Sequence, residues 1–191
     1  MHPEIMNFIH RLNTDFEDYF KENILEIGSQ NTKKARSRSP RSIIKKCKKY
    51  IGVDYQKGID VDIVCLGHEY KTEERFKAIL CFEVFEHDPH WEKTIDNVFE
   101  HLKDDAIFCW SCAGLKRGKH GADDTPEIGY YDNKTINEIT RAILNSAKKF
   151  NFVIFQMNNY SKREDKDILG LVIVKKIEKE SLSKLKTGEQ K

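Results

Sequence analysis

The chain has 191 residues, which is enough for one domain with a substantial hydrophobic core. Apolar residues make up 39% and charged residues 34% of the sequence, and these proportions exclude a fully disordered or fibrous protein. The formal charge is only +2, from 33 basic and 31 acidic residues, so the composition as a whole does not indicate a polyanionic partner.

The predicted elements begin with an amphipathic helix and continue as strands alternating with helices. Residues 1–22 carry apolar side chains at steps of three and four, the spacing of a helix with one buried face. Helical spacing recurs after Pro40, over 91–102 and over 136–150. Short apolar runs typical of buried strands occupy 23–28, 50–54, 61–65, 76–85, 106–112, 152–157 and 168–174. This order predicts a mostly parallel sheet with helices on both faces.

Two of the predicted helices begin at recognisable caps. Asp88 is the expected N-cap of the helix at 91–102, and Pro89 suits its first helical position. Thr135 and Glu138 have the spacing of a capping box, which predicts the start of the following helix at residue 136.

The connection between the last two strands is too short for a parallel crossover. Residues 158–167 are polar and lack helical spacing, whereas a crossover needs about a dozen residues or more. The seventh strand should therefore run antiparallel to the sixth. We divide the chain into the N-terminal helix at 1–22, one α/β domain at 23–177 and a charged tail at 178–191.

The cysteines indicate the compartment. There are five of them, an odd number, and they are scattered along the chain, as expected for reduced thiols in a cytosol-like environment. The first ten residues lack the basic start and apolar block of a signal peptide, and no apolar run is long enough to cross a bilayer. We expect a cytoplasmic protein with no membrane span.

Residues at the ends of the first two strands indicate a nucleoside-type ligand. In open α/β sheets, ligands bind at the carboxyl edge beside the first strand. Gly28 ends that strand and lets a ligand approach the backbone, while Asp54 ends the second strand, where a carboxylate can bind a ribose diol. Glu26 lies inside a buried strand, so it needs either a structural partner or a role in binding. The dinucleotide fingerprint is absent, because Gly28 is its only glycine.

Three spaced segments carry a family resemblance. They are ILEIGS at 24–29, YIGVD at 50–54 and FEVFEHDPHW at 82–91. Together they resemble a class I S-adenosylmethionine-dependent methyltransferase, most closely the methyltransferase type 11 group. Segments that resemble one bacterial branch of that group are CAG at 112–114, GKHG at 118–121 and YYDN at 130–133.

The resemblance implies a Rossmann-like, seven-stranded sheet with an antiparallel last strand, and S-adenosylmethionine as the cofactor. The residues that it places around the cofactor are Glu26, Gly28 and Ser29 at the methionine part, Asp54 and Tyr55 at the ribose, Gly67 and His68 near adenine, and Cys81, Phe82 and Glu83 around the transferred methyl. The chain departs from the family where Leu66 replaces an acid, Lys77 replaces an aspartate and 103–105 replace a Pro-Gly-Gly turn.

Two histidines are the candidates for catalysis. A sulfonium methyl is already electrophilic, so its transfer to a hydroxyl or amine needs in-line placement and a base. His87 follows the fourth strand at the predicted site, and histidine as a residue type titrates near neutrality, although His87 could instead orient Glu86 or cap the next helix. His120 lies in a glycine-bracketed loop that could close over the site or be an ordinary surface loop.

Two other motifs have structural explanations. His87, Asp88 and His90 are close in sequence, but Asp88 and His90 suit a helix start and no further ligand is identifiable, so no metal is expected. Cys109 and Cys112 have redox spacing, yet residues three apart on a strand face opposite sides of the sheet. We assign that pair a structural role.

The acceptor is the least determined part of the prediction. Residues 33–49 contain nine basic residues and no acid, a pattern that suits either phosphate contacts or a solvated surface. The chain is too short to include a recognition domain, so we expect a small-molecule acceptor with a hydroxyl, such as a sugar or other metabolite. The alternatives are a nucleic-acid methyltransferase that uses 33–49 and a non-catalytic module that binds S-adenosylmethionine.

Overall fold

The computed structural model describes residues 3–31, 39–120, 130–160 and 166–177. The helices in this part of the chain are α1 (Pro3–Asp15), α2 (Glu17–Phe20), α3 (Pro40–Ile43), α4 (Trp91–His101) and α5 (Ile136–Lys149). The strands are β1 (Asn23–Ile27), β2 (Lys49–Asp54), β3 (Ile63–Val64), β4 (Phe76–Phe82), β5 (Leu102–Ala113), β6 (Phe152–Tyr160) and β7 (Asp167–Lys176).

All seven strands form one sheet in the order β3-β2-β1-β4-β5-β7-β6. The five strands from β3 to β5 pair in parallel, and β7 lies antiparallel between β5 and β6. This confirms the Rossmann-like fold class and the antiparallel pairing of the last two strands. The connection length predicts that pairing correctly, because a short link cannot carry the chain back across the sheet.

Two apolar core clusters lie on opposite faces of the sheet. One contains the buried side of α1 together with Ile24 and Cys109, and the other lies under α4 and α5 and contains Leu25, Trp110 and Cys112. Adjacent strand residues enter different clusters because their side chains alternate between the two faces. Cys109 and Cys112 are therefore buried on opposite sides, and both are free thiols, in agreement with a structural role.

Among the element boundaries that differ from the sequence prediction, three affect the architecture most. The first helix is interrupted at Phe16, where the backbone leaves the helical region (φ −123°, ψ 34°) before α2 begins. The fourth strand ends at Phe82 rather than residue 85, because Glu83 adopts a left-handed φ of 58°. The fifth strand begins at Leu102, directly after α4, so 103–105 belong to the strand and form no turn.

The capping predictions have different outcomes. Thr135 and Glu138 form the expected box, in which each side chain accepts a hydrogen bond from the other residue's amide. The assignment of Asp88 as the N-cap of α4 is wrong, because the N-cap is His90. The Asp88 carboxylate instead accepts bonds from the His90 amide at 2.7 Å and the Thr94 hydroxyl at 2.6 Å, which fixes the turn before the helix.

None of the helices in the described part of the chain combines the length and the apolar character that a membrane span requires.

Candidate functional site

The candidate site lies at the carboxyl edge of the sheet, where the chain leaves β1 for β2 on one side and later returns to β4 on the other. This reversal of strand order opens a crevice between neighbouring strand ends. Gly28 follows β1 and Asp54 ends β2, while Glu83 follows β4 and Gly114 follows β5. The residues that the sequence predicts at the strand ends therefore lie along one edge of the sheet.

Gly28 makes a tight turn that requires glycine. Its φ is 77°, and its amide and that of Ser29 both donate to the carbonyl of Val53, at 2.8 and 3.1 Å. A Cβ at Gly28 would lie 2.2 Å from Cγ2 of Val84, so no larger residue fits without movement. The Ser29 hydroxyl beside it is buried and has no hydrogen-bond partner among the described residues.

Asp54 connects the loop after β1 to the end of β2. Its carboxylate accepts hydrogen bonds from the amides of Gln30 and Gln56, each at 3.0 Å, and a further contact from the amide of Tyr55. Burial raises the pKa of Asp54, and these amides oppose that increase. The amides fix the orientation of the carboxylate, which has about four lone-pair positions and so keeps capacity for a further donor.

Gly67 and His68 follow β3 and pack against α4. The carbonyl of Gly67 accepts a hydrogen bond from the Asn97 side chain at 2.8 Å, and a Cβ at Gly67 would lie 2.8 Å from Ile27. The His68 ring lies 4.6 Å from the His90 ring, centre to centre. Its Nδ1 is buried and unpartnered within the described chain, so a ligand atom could satisfy it.

Glu26 is buried on the α1 face of the sheet and accepts a hydrogen bond from the Tyr50 hydroxyl at 2.6 Å. Burial raises its pKa from 4.5 to about 8, and the bond from Tyr50 only partly opposes this increase. The carboxyl is therefore mainly protonated near neutral pH in the ligand-free protein. A bound cation near Glu26 would favour its ionised form.

The raised pKa of Glu26 predicts that the protein loses stability as the pH rises. Glutamine at position 26 should remove this loss. A carboxyl whose pKa is higher in the folded state stabilises the fold fully below pH 4.5, and this contribution disappears as the pH rises through about 8. Glu26→Gln keeps an acceptor for Tyr50 and cannot ionise. Between about pH 5 and pH 9, we expect the free energy of unfolding of the wild type to fall relative to that of Glu26→Gln by on the order of 3 kcal/mol.

Urea unfolding at the two pH values measures this difference. Glu17→Gln is the matched control, because Glu17 is an exposed residue of α2. We expect the control to follow the wild type at both pH values. An equal pH dependence of Glu26→Gln and the wild type would contradict the assignment of a protonated Glu26.

The three residues at the end of β4 have different environments. The side chains of Cys81 and Phe82 are buried on opposite faces, and the Phe82 ring packs edge-on against Phe8 with centres 6.5 Å apart. The amide of Glu83 donates to the carbonyl of Ser111 at 3.0 Å, and the Ser111 hydroxyl donates to the Glu83 carboxylate at 3.0 Å. Burial, and then the nearby Asp167, raise the pKa of Glu83.

The two candidate catalytic histidines lie together although they are distant in sequence. The ring centres of His87 and His120 are 5.2 Å apart, and Tyr131 packs against both at 5.2 and 5.1 Å. The Tyr131 hydroxyl donates to the Gly118 carbonyl at 3.2 Å. Burial, and then His120, lower the pKa of His87 to about 4, so its imidazole is neutral near pH 7.

Glu86 is the residue at this edge that the sequence does not predict as part of the site. It is 0% exposed, and neither carboxylate oxygen has a hydrogen-bond partner of normal geometry in the described part of the chain. Burial, and then Glu83, raise its pKa well above the usual range, against the opposing effect of the amides of Glu86 and Ala113. The only sequence indication was its place beside His87 in the segment at 82–91.

Lys134 is a second residue that the sequence does not predict. Its side chain is 1% exposed, and its ammonium contacts Asp132 at 2.8 Å and the Tyr130 hydroxyl at 3.0 Å. The same ammonium lies 5.2 Å from the centre of the Trp91 ring. These contacts compensate the buried charge and hold 130–134 against the start of α4.

Two of the five basic residues in the described part of the basic segment have partners within the protein, and the other three are exposed lysines. Arg41 forms an ion pair with Asp62 and packs over the Tyr50 ring, and Lys49 pairs with Glu74 at 2.6 Å. Residues 33–38 of the segment lie outside the described residues. Two of its charges are thus committed to internal partners rather than presented to a phosphate backbone.

Comparison with known proteins adds a family and a set of similar folds. Residues 2–156 match the family described as a methyltransferase domain. No curated protein sequence matches the chain.

Three solved structures illustrate the similarity of fold. The N-methyltransferase NodS from Bradyrhizobium japonicum WM9, in complex with S-adenosylhomocysteine, is 14% identical with a TM-score of 0.62 over 91% of this chain and 88% of that one. The 1,6-didemethyltoxoflavin-N1-methyltransferase from Burkholderia thailandensis, with 1,6-didemethyltoxoflavin and S-adenosylhomocysteine bound, is 15% identical with a TM-score of 0.62 over 92% and 79%. An S-adenosylmethionine-dependent methyltransferase from Clostridium acetobutylicum ATCC 824 is 12% identical with a TM-score of 0.62 over 92% of each chain. At these identities the similarity concerns the fold.

Proposed function

Because the chain belongs to the methyltransferase domain family, whose match covers residues 2–156, we propose that it transfers the methyl group of S-adenosylmethionine to a small-molecule acceptor. The family match is the observation that carries this proposal. The strand-end residues support it, since they form a nucleoside-type site without a pyrophosphate cradle. The five unpaired cysteines support a reducing compartment, which we propose to be the cytoplasm.

The residues present at the carboxyl edge fit this cofactor. Asp54 holds an oriented carboxylate for the ribose hydroxyls, and Gly28 lets the ligand approach the backbone. The Ser29 hydroxyl and His68 Nδ1, which have no hydrogen-bond partner among the described residues, are available to bond to the polar ends of the cofactor. When bound, S-adenosylmethionine supplies a methyl group on a positively charged sulfur, which needs no further activation as an electrophile.

The remaining chemical requirement is to place the acceptor and remove its proton. His87 and His120 lie at the mouth of the site, after β4 and β5, and a neutral imidazole there can accept a proton from a hydroxyl or an ammonium. Tyr131 packs against both rings and fixes their separation. We propose a hydroxyl acceptor, and a nitrogen acceptor is the alternative, favoured by the N-methyltransferases among the similar folds.

Calorimetric titration with S-adenosylmethionine and S-adenosylhomocysteine tests the proposed function. We expect both to bind at micromolar concentration and NAD+, the control ligand, not to bind. Purified protein is then incubated with pooled hydroxyl and amine metabolites, and the formation of S-adenosylhomocysteine is measured. Turnover with an acceptor excludes a non-catalytic binding module, while the absence of binding at millimolar concentration would overturn the proposal.

A further inference from the structure

Three potential metal ligands converge at the mouth of the site. Glu86, His87 and His120 each offer one ligand atom, and these atoms all lie within 4.8 Å of one another. Bonds of about 2.0–2.1 Å to a tetrahedral ion require ligand atoms about 3.3 Å apart, so small side-chain rotations are needed. His120 lies on a partly exposed loop and can make such a rotation.

Glu86 provides an independent indication of a ligand at this position. Its side chain is fully buried, yet beyond contacts with the amides of Glu86 and Ala113 neither carboxylate oxygen has a hydrogen-bond partner of normal geometry in the described part of the chain. An uncompensated buried carboxyl group costs stability, and a bound cation removes that cost. The buried ammonium of Lys134 contacts Asp132 and Tyr130.

The imidazoles are arranged as metal ligands usually are. Nδ1 of His120 lies 3.1 Å from the Gly118 carbonyl, and donation from this nitrogen leaves Nε2 with a free lone pair. Metal-binding histidines typically donate their second nitrogen to a carbonyl or carboxylate in this way. The His87 ring makes no hydrogen bond to the described residues, so its lone pair is also available.

We propose that Glu86, His87 and His120 bind one divalent first-row transition-metal ion, with Zn²⁺ as the probe. Two imidazoles and one carboxylate are a donor set that suits zinc or ferrous iron, and three protein ligands leave a coordination position open. Because the three ligands lie at the edge where we propose the acceptor to bind, an oxygen or nitrogen atom of the acceptor could occupy that position. In the metal-bound protein the imidazole lone pairs would be used by the ion, which would then assist deprotonation by lowering the pKa of the acceptor in place of a free imidazole.

Metal binding is measured without cofactor or acceptor, so its outcome is independent of the proposed methyl transfer. Tag-free protein, freed of metal with a chelator, is titrated with Zn²⁺ in competition with a chromophoric chelator. Co²⁺ is added separately, and its visible absorption reports the coordination geometry. We expect one equivalent of Zn²⁺ to bind and to raise the Tm of the wild type.

The variants locate the bound ion. His120→Ala changes a partly exposed loop, and Glu86→Gln removes the buried carboxylate with little change of shape. We expect each to weaken Zn²⁺ binding by more than about tenfold, since loss of even a supporting residue has an effect of that size. His10→Ala is the matched control, because His10 is exposed on α1.

The control should bind Zn²⁺ as the wild type does, and thermal unfolding of each metal-free variant shows that it is folded. The proposal is overturned if the wild type does not bind one equivalent, or if His120→Ala binds with the same affinity as His10→Ala.

Discussion

Replacing Asp54 with alanine is expected to weaken binding of S-adenosylmethionine roughly a hundredfold, which corresponds to about 3 kcal/mol. Each hydrogen bond to a charged group contributes about 1.5–3 kcal/mol, and a ribose diol offers two hydroxyls to the Asp54 carboxylate. Alanine also leaves the amides of Gln30 and Gln56 without their acceptor, so the loop after β1 loses part of its orientation. Calorimetric titration of the variant and the wild type measures the change.

Two further variants separate binding from folding in this experiment. Asp54→Asn keeps an acceptor oxygen for the backbone amides but lacks the charge, so we expect an intermediate loss of affinity. Asp105→Ala is the control, because Asp105 pairs with Lys77 at the opposite edge of the sheet, at 2.6 Å. Equal affinity of Asp54→Ala and Asp105→Ala for S-adenosylhomocysteine would place the ribose elsewhere.

The fold was predictable wherever it depends on local patterns. Apolar periodicity locates the strands and helices, and the length of the link between β6 and β7 fixes their antiparallel pairing. The end of β4 was not predictable, because Val84 and Phe85 continue the apolar run. There the strand is ended by the left-handed backbone of Glu83, whose amide donates to Ser111 of the neighbouring strand. Such a contact between distant segments leaves no trace in the local sequence.

The beginning of β5 was also not predictable, because charged residues occupy it. Lys103 and Asp105 look like a loop, but they lie in the strand at the amino edge of the sheet. Asp105 pairs there with Lys77 and accepts a hydrogen bond from Tyr19. Lys77 is one of the departures from the family pattern, and this pair gives it a structural role.

The candidate site, like the fold, contains residues that could be predicted from the local sequence and residues that could not. Gly28 and Asp54 could be predicted from their positions at strand ends, because the carboxyl edge of such a sheet is where ligands bind. The proximity of His87 and His120 depends instead on the return of 130–134 to the end of β4. That return is held by the Gly114–Lys134 bridge and by the bond from the Asp132 amide to the Glu86 carbonyl at 2.9 Å. The burial of Glu86 without a hydrogen bond of normal geometry to the described residues is likewise a property of three-dimensional packing.

Replacing Gly170 with alanine is expected to destabilise the fold by about 3 kcal/mol and to lower the Tm by roughly 10 °C. Gly170 lies opposite Trp110 in the β5–β7 ladder. A Cβ at Gly170 would lie 2.1 Å from Cε2 and 2.3 Å from Cζ2 of the indole, which is fully buried. Urea and thermal unfolding measure the loss, and Gly118→Ala, where a Cβ would meet no atom of the described residues within 4 Å, is the control.

A double-mutant cycle identifies the indole as the cause of this loss. Trp110→Leu alone leaves a cavity in the core and is itself destabilising. Combined with Gly170→Ala, however, it provides the space that the added methyl group needs. We therefore expect the free energy of unfolding to fall less in the double variant than the losses of the two single variants added together, by at least about 1 kcal/mol. Strict additivity of the two losses would mean that backbone strain at position 170, and not the contact with Trp110, explains why the strand requires glycine there.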